Sequence, residues 1–118
     1  MRAVICGGRD YTDYRRFASA MQSIDAEHGP LTVVIQGGAK GADWCAHLWA
    51  NSPTGARQEI IFEADWSANG KSAGPIRNQR MLDEGKPDLV IAFPGGRGTA
   101  DMVRRAEKAG VKVVRVTT

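Results

Sequence analysis

The sequence predicts an α/β fold: one single-domain, three-layer Rossmann-like unit spanning 1–118, with a parallel five-stranded sheet in the order 3-2-1-4-5. Two observations carry that expectation. Short apolar runs alternate with stretches of helical spacing along the whole chain, which requires parallel strands with helices on both faces. Gly-Gly also follows the first, second and fourth apolar runs, each time at the step from strand to helix. Right-handed crossovers then limit the topology, and the order 3-2-1-4-5 places the switch point between strands 1 and 4.

Arg2 to Cys6 is a short apolar strand, followed at once by Gly7-Gly8-Arg9-Asp10. Tyr14, Phe17, Ala18, Met21 and Ile24 recur at helical spacing behind Thr12 or Asp13 as the cap, and Gly29-Pro30 ends that helix. The second strand is expected over Leu31 to Gln36, rich in β-branched residues. After Gly37-Gly38-Ala39-Lys40-Gly41-Ala42-Asp43, the residues Ala42, Cys45, Ala46 and Trp49 mark a second helix, stopped at Asn51-Ser52-Pro53, with Gly55 continuing the break. Gln58 to Phe62 is the third strand. A long polar loop through Trp66 and Lys71 to Gly74 follows, of a length that favours a functional role. Pro75 suits the first position of a third helix running to about Glu84. Leu89 to Phe93 is the fourth strand, and Pro94-Gly95-Gly96-Arg97-Gly98-Thr99 leads into the last helix, with Thr99 placed to cap it. That helix ends near Gly110, and Val111 to Val116 is the fifth strand.

The totals narrow the function classes. With 118 residues, 42% hydrophobic and 25% charged, the chain suits one globular core. A net charge of +3 permits an anionic ligand without demanding nucleic acid, and there is no basic run with interleaved aromatics. No apolar run is long enough to span a membrane, and the N-terminus reaches Gly7-Gly8 too soon for a secretory signal. Cys6 and Cys45 have no metal spacing and read as small core residues of a reducing compartment, the cytoplasm. No metal cluster, Ser/His/Asp set or Walker lysine motif is present, and neither a metal nor a cofactor is expected. His28 and His47 carry no assigned role.

In a parallel sheet the three Gly-Gly loops lie at one edge, and in the proposed order their strands are neighbours. They are therefore expected to meet around one anion-binding crevice. Gly37 to Asp43 and Gly95 to Asp101 run in register from Gly-Gly to Ala-Asp, each with one basic residue, Lys40 or Arg97. Gly7, Gly8, Gly37, Gly38, Gly41 and Pro94 to Thr99 are the backbone candidates. Arg9, Lys40, Lys71, Arg77, Asn78, Arg80 and Arg97 are the side chains to complement an anion, the arginines as planar forks, with Asp43 in the same ligand-binding set. Asp43 and Asp101 are expected in first helical turns, where a carboxylate also stabilises the helix. Asp10 and Asp101, beside the switch point, are the candidates for a ribose-hydroxyl acceptor or a general acid or base. Trp66 is placed to stack on a base or to bury itself against a second subunit.

Gly7-Gly-Arg-Asp10, Gly37 to Asp43, Gly74-Pro-Ile-Arg-Asn-Gln-Arg-Met81 and Pro94 to Thr99, in that order, resemble the SLOG superfamily. Within it the chain looks like the YspA, or cpYpsA-related, branch of small bacterial and phage proteins. The resemblance spans nearly the whole chain. It implies a Rossmann-like domain that binds a nucleotide or nucleotide-derived ligand, and a homo-oligomer. Relatives named by the resemblance include DprA/Smf proteins, which bind single-stranded DNA. They also include LOG phosphoribohydrolases, which cleave the N-glycosidic bond of nucleoside monophosphates. LOG enzymes carry PGGxGTxxE with a catalytic glutamate; here Pro94 to Thr99 match and Met102 stands at the glutamate position. Asp101 is one residue early, about 100° around a helix. The phosphate cradle carries over to Gly95, Gly96, Gly98 and Thr99, and the assisting arginine to Arg77 or Arg80. Ligand binding or sensing is the leading expectation. N-glycosidic hydrolysis and single-strand nucleic-acid binding are the alternatives.

Overall fold

A computed structural model describes residues 1–53 and 57–117; Gly55 lies outside the described residues. Five parallel strands form one sheet in the order β3-β2-β1-β4-β5: β1 (Arg2–Cys6), β2 (Val33–Gln36), β3 (Gln58–Ile61), β4 (Leu89–Ala92) and β5 (Lys112–Arg115). The predicted fold class and strand order therefore stand. Each strand but the first is one or two residues shorter than its apolar run. Just past the strand ends, Phe62, Phe93 and Val116 still donate their N–H groups to Gln36 O, Cys6 O and Ala92 O at 2.9, 2.9 and 2.8 Å, and their side chains remain in or against the core.

Side chains alternate across the sheet at the strand period of two. Ala3, Ile5, Val34, Leu89 and Ile91 face helices α1 (Tyr14–His28) and α2 (Ala42–Ala50). Val4, Cys6, Ile35, Val90 and Ala92 face helices α4 (Ala73–Asp83) and α5 (Arg97–Lys108). The short α3 (Trp66–Asn69) lies outside these layers. On the first face Phe17 stacks on Phe93 with ring centroids 4.4 Å apart. Both cysteines are buried and free, as their surroundings in the sequence suggested. No helix among the described residues is long and apolar enough to cross a membrane.

Three local expectations need correction. The stretch from Trp66 to Gly74 is not an open loop. Asp65 caps Ala68 N at 3.1 Å and starts α3, a 3-10 turn over Gly70–Ser72 follows, and α4 begins at Ala73 rather than Pro75. Pro75 is tolerated as the third residue of α4, because an N–H there has no intrahelical acceptor. The last helix begins at Arg97 with Gly96 as its cap, so Thr99 lies inside the first turn, its hydroxyl packed against Gly95. Asp101 consequently sits in the second turn, beyond the reach of the helix terminus.

Candidate functional site

The crevice forms at the carboxyl edge of β1 and β4, where α1 and α4–α5 leave the sheet on opposite faces. Pairing Cys6 with Ala92 brings the loops after these strands level with each other. Backbone bonds then stitch the loops together: Gly8 N donates to Pro94 O at 2.8 Å, and Ala42 N donates to Gly8 O at 3.1 Å. The result is an open crevice of about 620 Å³, within the size range of small-molecule sites.

Gly7, Gly8, Arg9, Asp10, Asp43, Arg77, Asn78, Gly96, Arg97, Gly98, Thr99 and Asp101 all line it. The remaining candidates lie elsewhere. Gly37, Gly38 and Lys40 line an adjoining hollow of about 520 Å³, separated from the crevice by residues that face both, Arg9, Ala39, Trp66 and Arg77. Gly41 is buried beneath the first loop, and Gly95 packs against Gly8 N and Thr99. Pro94 is exposed and offers its carbonyl to Gly8. Arg80 pairs with Glu84 at 2.8 Å and lies over the Phe62 ring, away from the crevice lining. Cys6, Met81 and Arg104 line the crevice without having been candidates. For Arg104 the signal was its spacing three residues beyond Asp101 on one helix.

Among the described residues the buried polar side chains are Gln36, Asp43 and Asn78, and all three serve this edge. Asn78 is a hub. Its Nδ2 donates to Gly98 O at 3.2 Å and to Asp101 Oδ2 at 3.0 Å, and its Oδ1 accepts from Arg77 Nε at 3.1 Å. Arg77 also donates to Gly37 O at 2.6 Å. Arg105 donates to Asp101 at 2.8 Å and to Gln79 at 3.0 Å. One hydrogen-bonded chain thus runs from the second loop through α4 to α5. His47, given no role by the sequence, has a partner outside the crevice: Glu59, 2.9 Å from its Nδ1.

The two loops that match in sequence behave in opposite ways. In the second loop the N–H groups of Gly38 and Ala39 are used internally. Gly38 N donates to Gln36 Oε1 at 2.6 Å, and Ala39 N to the Asp43 carboxylate at 3.1 Å. The carboxylate of Asp43 thereby fills the cradle its own loop makes. In the fourth loop, Asp101 turns away to Asn78 and Arg105. The N–H groups from Gly95 to Thr99 have no acceptor among the described residues, and the first to bond is Ala100 N, to Gly96 O at 3.0 Å.

The carboxylates differ accordingly. Burial pushes Asp43 above the usual aspartate range, and the Ala39 N–H and Arg77 only partly offset it. Burial also pushes Asp101 up, but its bonds from Arg105 and Asn78 outweigh that and hold it below the usual range. Burial raises the Cys6 thiol to about 12, so it stays protonated. Burial lowers the affinity of Arg77 for its proton, against the pull of Asp43.

The raised value of Asp43 has a measurable consequence. A carboxyl whose folded value exceeds its unfolded 3.8 contributes stability below 3.8, and loses it as pH rises through the folded value. Asp43→Asn keeps an oxygen for Ala39 N and cannot ionise. Its melting temperature relative to the wild type is therefore expected to rise between pH 3.5 and 7, roughly the window in which a raised aspartate ionises. A difference that is flat or falls with pH in paired melting curves contradicts the assignment.

The comparisons with known proteins agree with this architecture. The family model described as the YspA, cpYpsA-related SLOG family matches residues 1–68, which include the first two glycine loops. Gene 61 protein of Mycobacterium phage D29 is 38% identical over 122 aligned residues, covering 96% of this chain and 94% of its own. The match to the family model and a relative of nearly equal length together place this chain in the YspA, cpYpsA-related family of the SLOG superfamily.

Proposed function

We propose that this protein binds a nucleotide or nucleotide-derived ligand, with a phosphate at the first turn of α5. The observation that carries the reading is the row of N–H groups from Gly95 to Thr99. They have no acceptor among the described residues, and Gly96 to Thr99 line the crevice. A helix start of this kind favours an anion through its donors and its dipole. The lining adds five cations, Arg9, Lys71, Arg77, Arg97 and Arg104, against the carboxylates Asp10, Asp43 and Asp101. Two of those carboxylates are already held, Asp43 by its loop and Asp101 by arginines, which leaves Asp10 as the ribose-hydroxyl acceptor. SLOG membership supports a nucleotide-related function. Binding is favoured over N-glycosidic hydrolysis because Met102 is fully buried in the core and Asp101 is committed to Asn78, Arg104 and Arg105.

Gly98→Asp tests this reading. A Cβ built at Gly98 meets nothing within 4 Å and the backbone there is not in the left-handed region, so the variant is expected to fold, which its melting curve checks. A carboxylate at the second helical position strengthens the helix by about 0.3–1 kcal/mol, yet it occupies the same donors and repels phosphate. The expected result is an unchanged or higher melting temperature, with affinity for the best of a panel of nucleoside monophosphates reduced at least about tenfold, roughly 1.4 kcal/mol. Wild-type affinity retained in the variant rules out this phosphate position. In the wild type, ligand at 100 times its Kd adds about 2.7 kcal/mol of stability. No thermal shift with any nucleotide or sugar phosphate overturns the proposal.

A further inference from the structure

We propose that Trp66, braced by Arg9, is a stacking platform for an aromatic base, so that the crevice selects nucleotides over the corresponding sugar phosphates. This inference rests on the nucleotide reading above and specifies which part of the ligand confers selectivity.

The three tryptophans occupy different settings. Trp49 is buried beneath the Arg57 guanidinium, 3.7 Å from its ring centroid, and Trp44 lies beside His47 on the outer side of α2. Trp66 is 49% exposed and lines both the crevice and the adjoining hollow. Its exposure is not that of a loose tip. Asp65 fixes the start of α3 through Ala68 N and through Ser67 Oγ at 2.9 Å. The far edge of the indole lies against α4, where a methyl added at Gly74 would touch it at 3.4 Å. The Arg9 guanidinium lies 5.4 Å from the ring centroid, a cation–π distance that steadies the indole without covering all of it.

The chemistry of the lining is graded. Arg97, Gly98 and Thr99 supply the anion-binding end, and Trp66, Pro75 and Met81 supply apolar surface. A phosphate uses only the first. A ligand with a flat apolar group uses both, and every nucleobase presents a π face to an indole. Stacking on one aromatic side chain contributes about 1–3 kcal/mol per base, which corresponds to roughly 5- to 150-fold in affinity.

The test compares AMP, CMP, GMP and UMP with ribose 5-phosphate by calorimetry on the wild type, Trp66→Leu and Trp66→Phe. The best nucleotide is expected to bind the wild type at least about fivefold more tightly than ribose 5-phosphate, the lower bound for stacking. Trp66→Leu is expected to remove that advantage while leaving ribose 5-phosphate unchanged, and Trp66→Phe to retain most of it. Binding of the nucleotide is also expected to quench tryptophan fluorescence in the wild type and not in Trp66→Phe. Equal affinity for nucleotide and ribose 5-phosphate overturns the platform and leaves the phosphate site standing. Equal weakening of both by Trp66→Leu, or no weakening of either, likewise overturns the platform alone. Failure of every phosphate compound to bind the wild type overturns the platform and the nucleotide reading together.

Discussion

Gly41→Ala is expected to lower the melting temperature by on the order of 10 to 20 °C. Two costs add at this position. Gly41 has φ 74 and ψ −122, a conformation that side-chain-bearing residues occupy only under strain of about 1–3 kcal/mol. An added Cβ would also press on the Gly8 carbonyl oxygen and come within 2.6 Å of Arg9 O. Those are backbone atoms, which cannot rotate away as a side-chain end can, so the first loop must shift at a further cost of about 1–3 kcal/mol. Gly110→Ala is the control. It also has a positive φ, 77, but it follows the end of α5, where Gly110 N donates to Glu107 O, and nothing lies within 4 Å of the new methyl, so it carries only the smaller conformational cost of a left-handed helix end. The difference between the two variants contains the contact between loops and the extra backbone strain of Gly41's ψ of −122. Because Gly8 O also accepts from Ala42 N at 3.1 Å and Tyr11 N at 3.2 Å, moving it distorts the crevice wall, and nucleotide affinity is expected to fall with stability. Melting of Gly41→Ala within about 3 °C of Gly110→Ala contradicts the expectation.

That contact shows what the glycine pattern could and could not convey. Paired glycines in three loops at one sheet edge predict convergence on one crevice; the first and fourth loops meet there, while the second reaches it only through Ala39 and Asp43 and turns Gly37 and Gly38 to the adjoining hollow. The sequence offered close approach to a ligand as the reason. For Gly7, Gly37, Gly41 and Gly95 the structure supplies another, the close approach of protein to protein: Gly7 lies under Phe93 and Ala42, Gly37 under Arg77, and Gly95 under Thr99 and Gly8 N. Gly96 and Gly98 have open space instead. Strand order was legible because apolar period and crossover handedness decide it. Helix starts were less so. Thr99 has the residue type of a cap, but the Gly96–Arg97–Gly98 backbone enters the helix before it. α3 was missed because four residues held by one Asp65 cap leave no apolar period to detect. The parallel between Gly37–Asp43 and Gly95–Asp101 hid opposite roles. Whether an aspartate turns back to its own loop or forward to Asn78 and Arg105 depends on partners remote in the chain, and no local pattern encodes that.

Asn78→Asp is expected to be more damaging than Asn78→Ala, and damaging in a pH-dependent way. Removing the amide in Asn78→Ala leaves Arg77 Nε, Gly98 O and one Asp101 bond without their partner, at a cost of about 2–4 kcal/mol. In Asn78→Asp the lost donor is replaced by an acceptor, at the position where Nδ2 stands 3.0 Å from Asp101 Oδ2. Two carboxylates so close cannot both ionise freely, and the pair is expected to retain a proton to higher pH than a lone aspartate. Stability from that proton is fully present below the unfolded value, about 3.9, and is lost as pH rises through the raised folded value. Wild-type Asp101 runs the other way. Its lowered value contributes stability above 3.8 that is lost as pH falls through the folded value. The deficit of Asn78→Asp against wild type is therefore expected to narrow from pH 7 to about pH 4.5, well within the reach of a shifted carboxyl pair. Urea midpoints of the three proteins at both pH values decide it. An aspartate variant no worse than the alanine variant at pH 7, or a deficit equal at both, removes Asn78 as the donor that holds the acid in place. The consequence reaches the ligand site through one bond: Asn78 grips the carbonyl of Gly98, so an intact α4–α5 network sets the position of the first turn of α5, where the phosphate is proposed to bind.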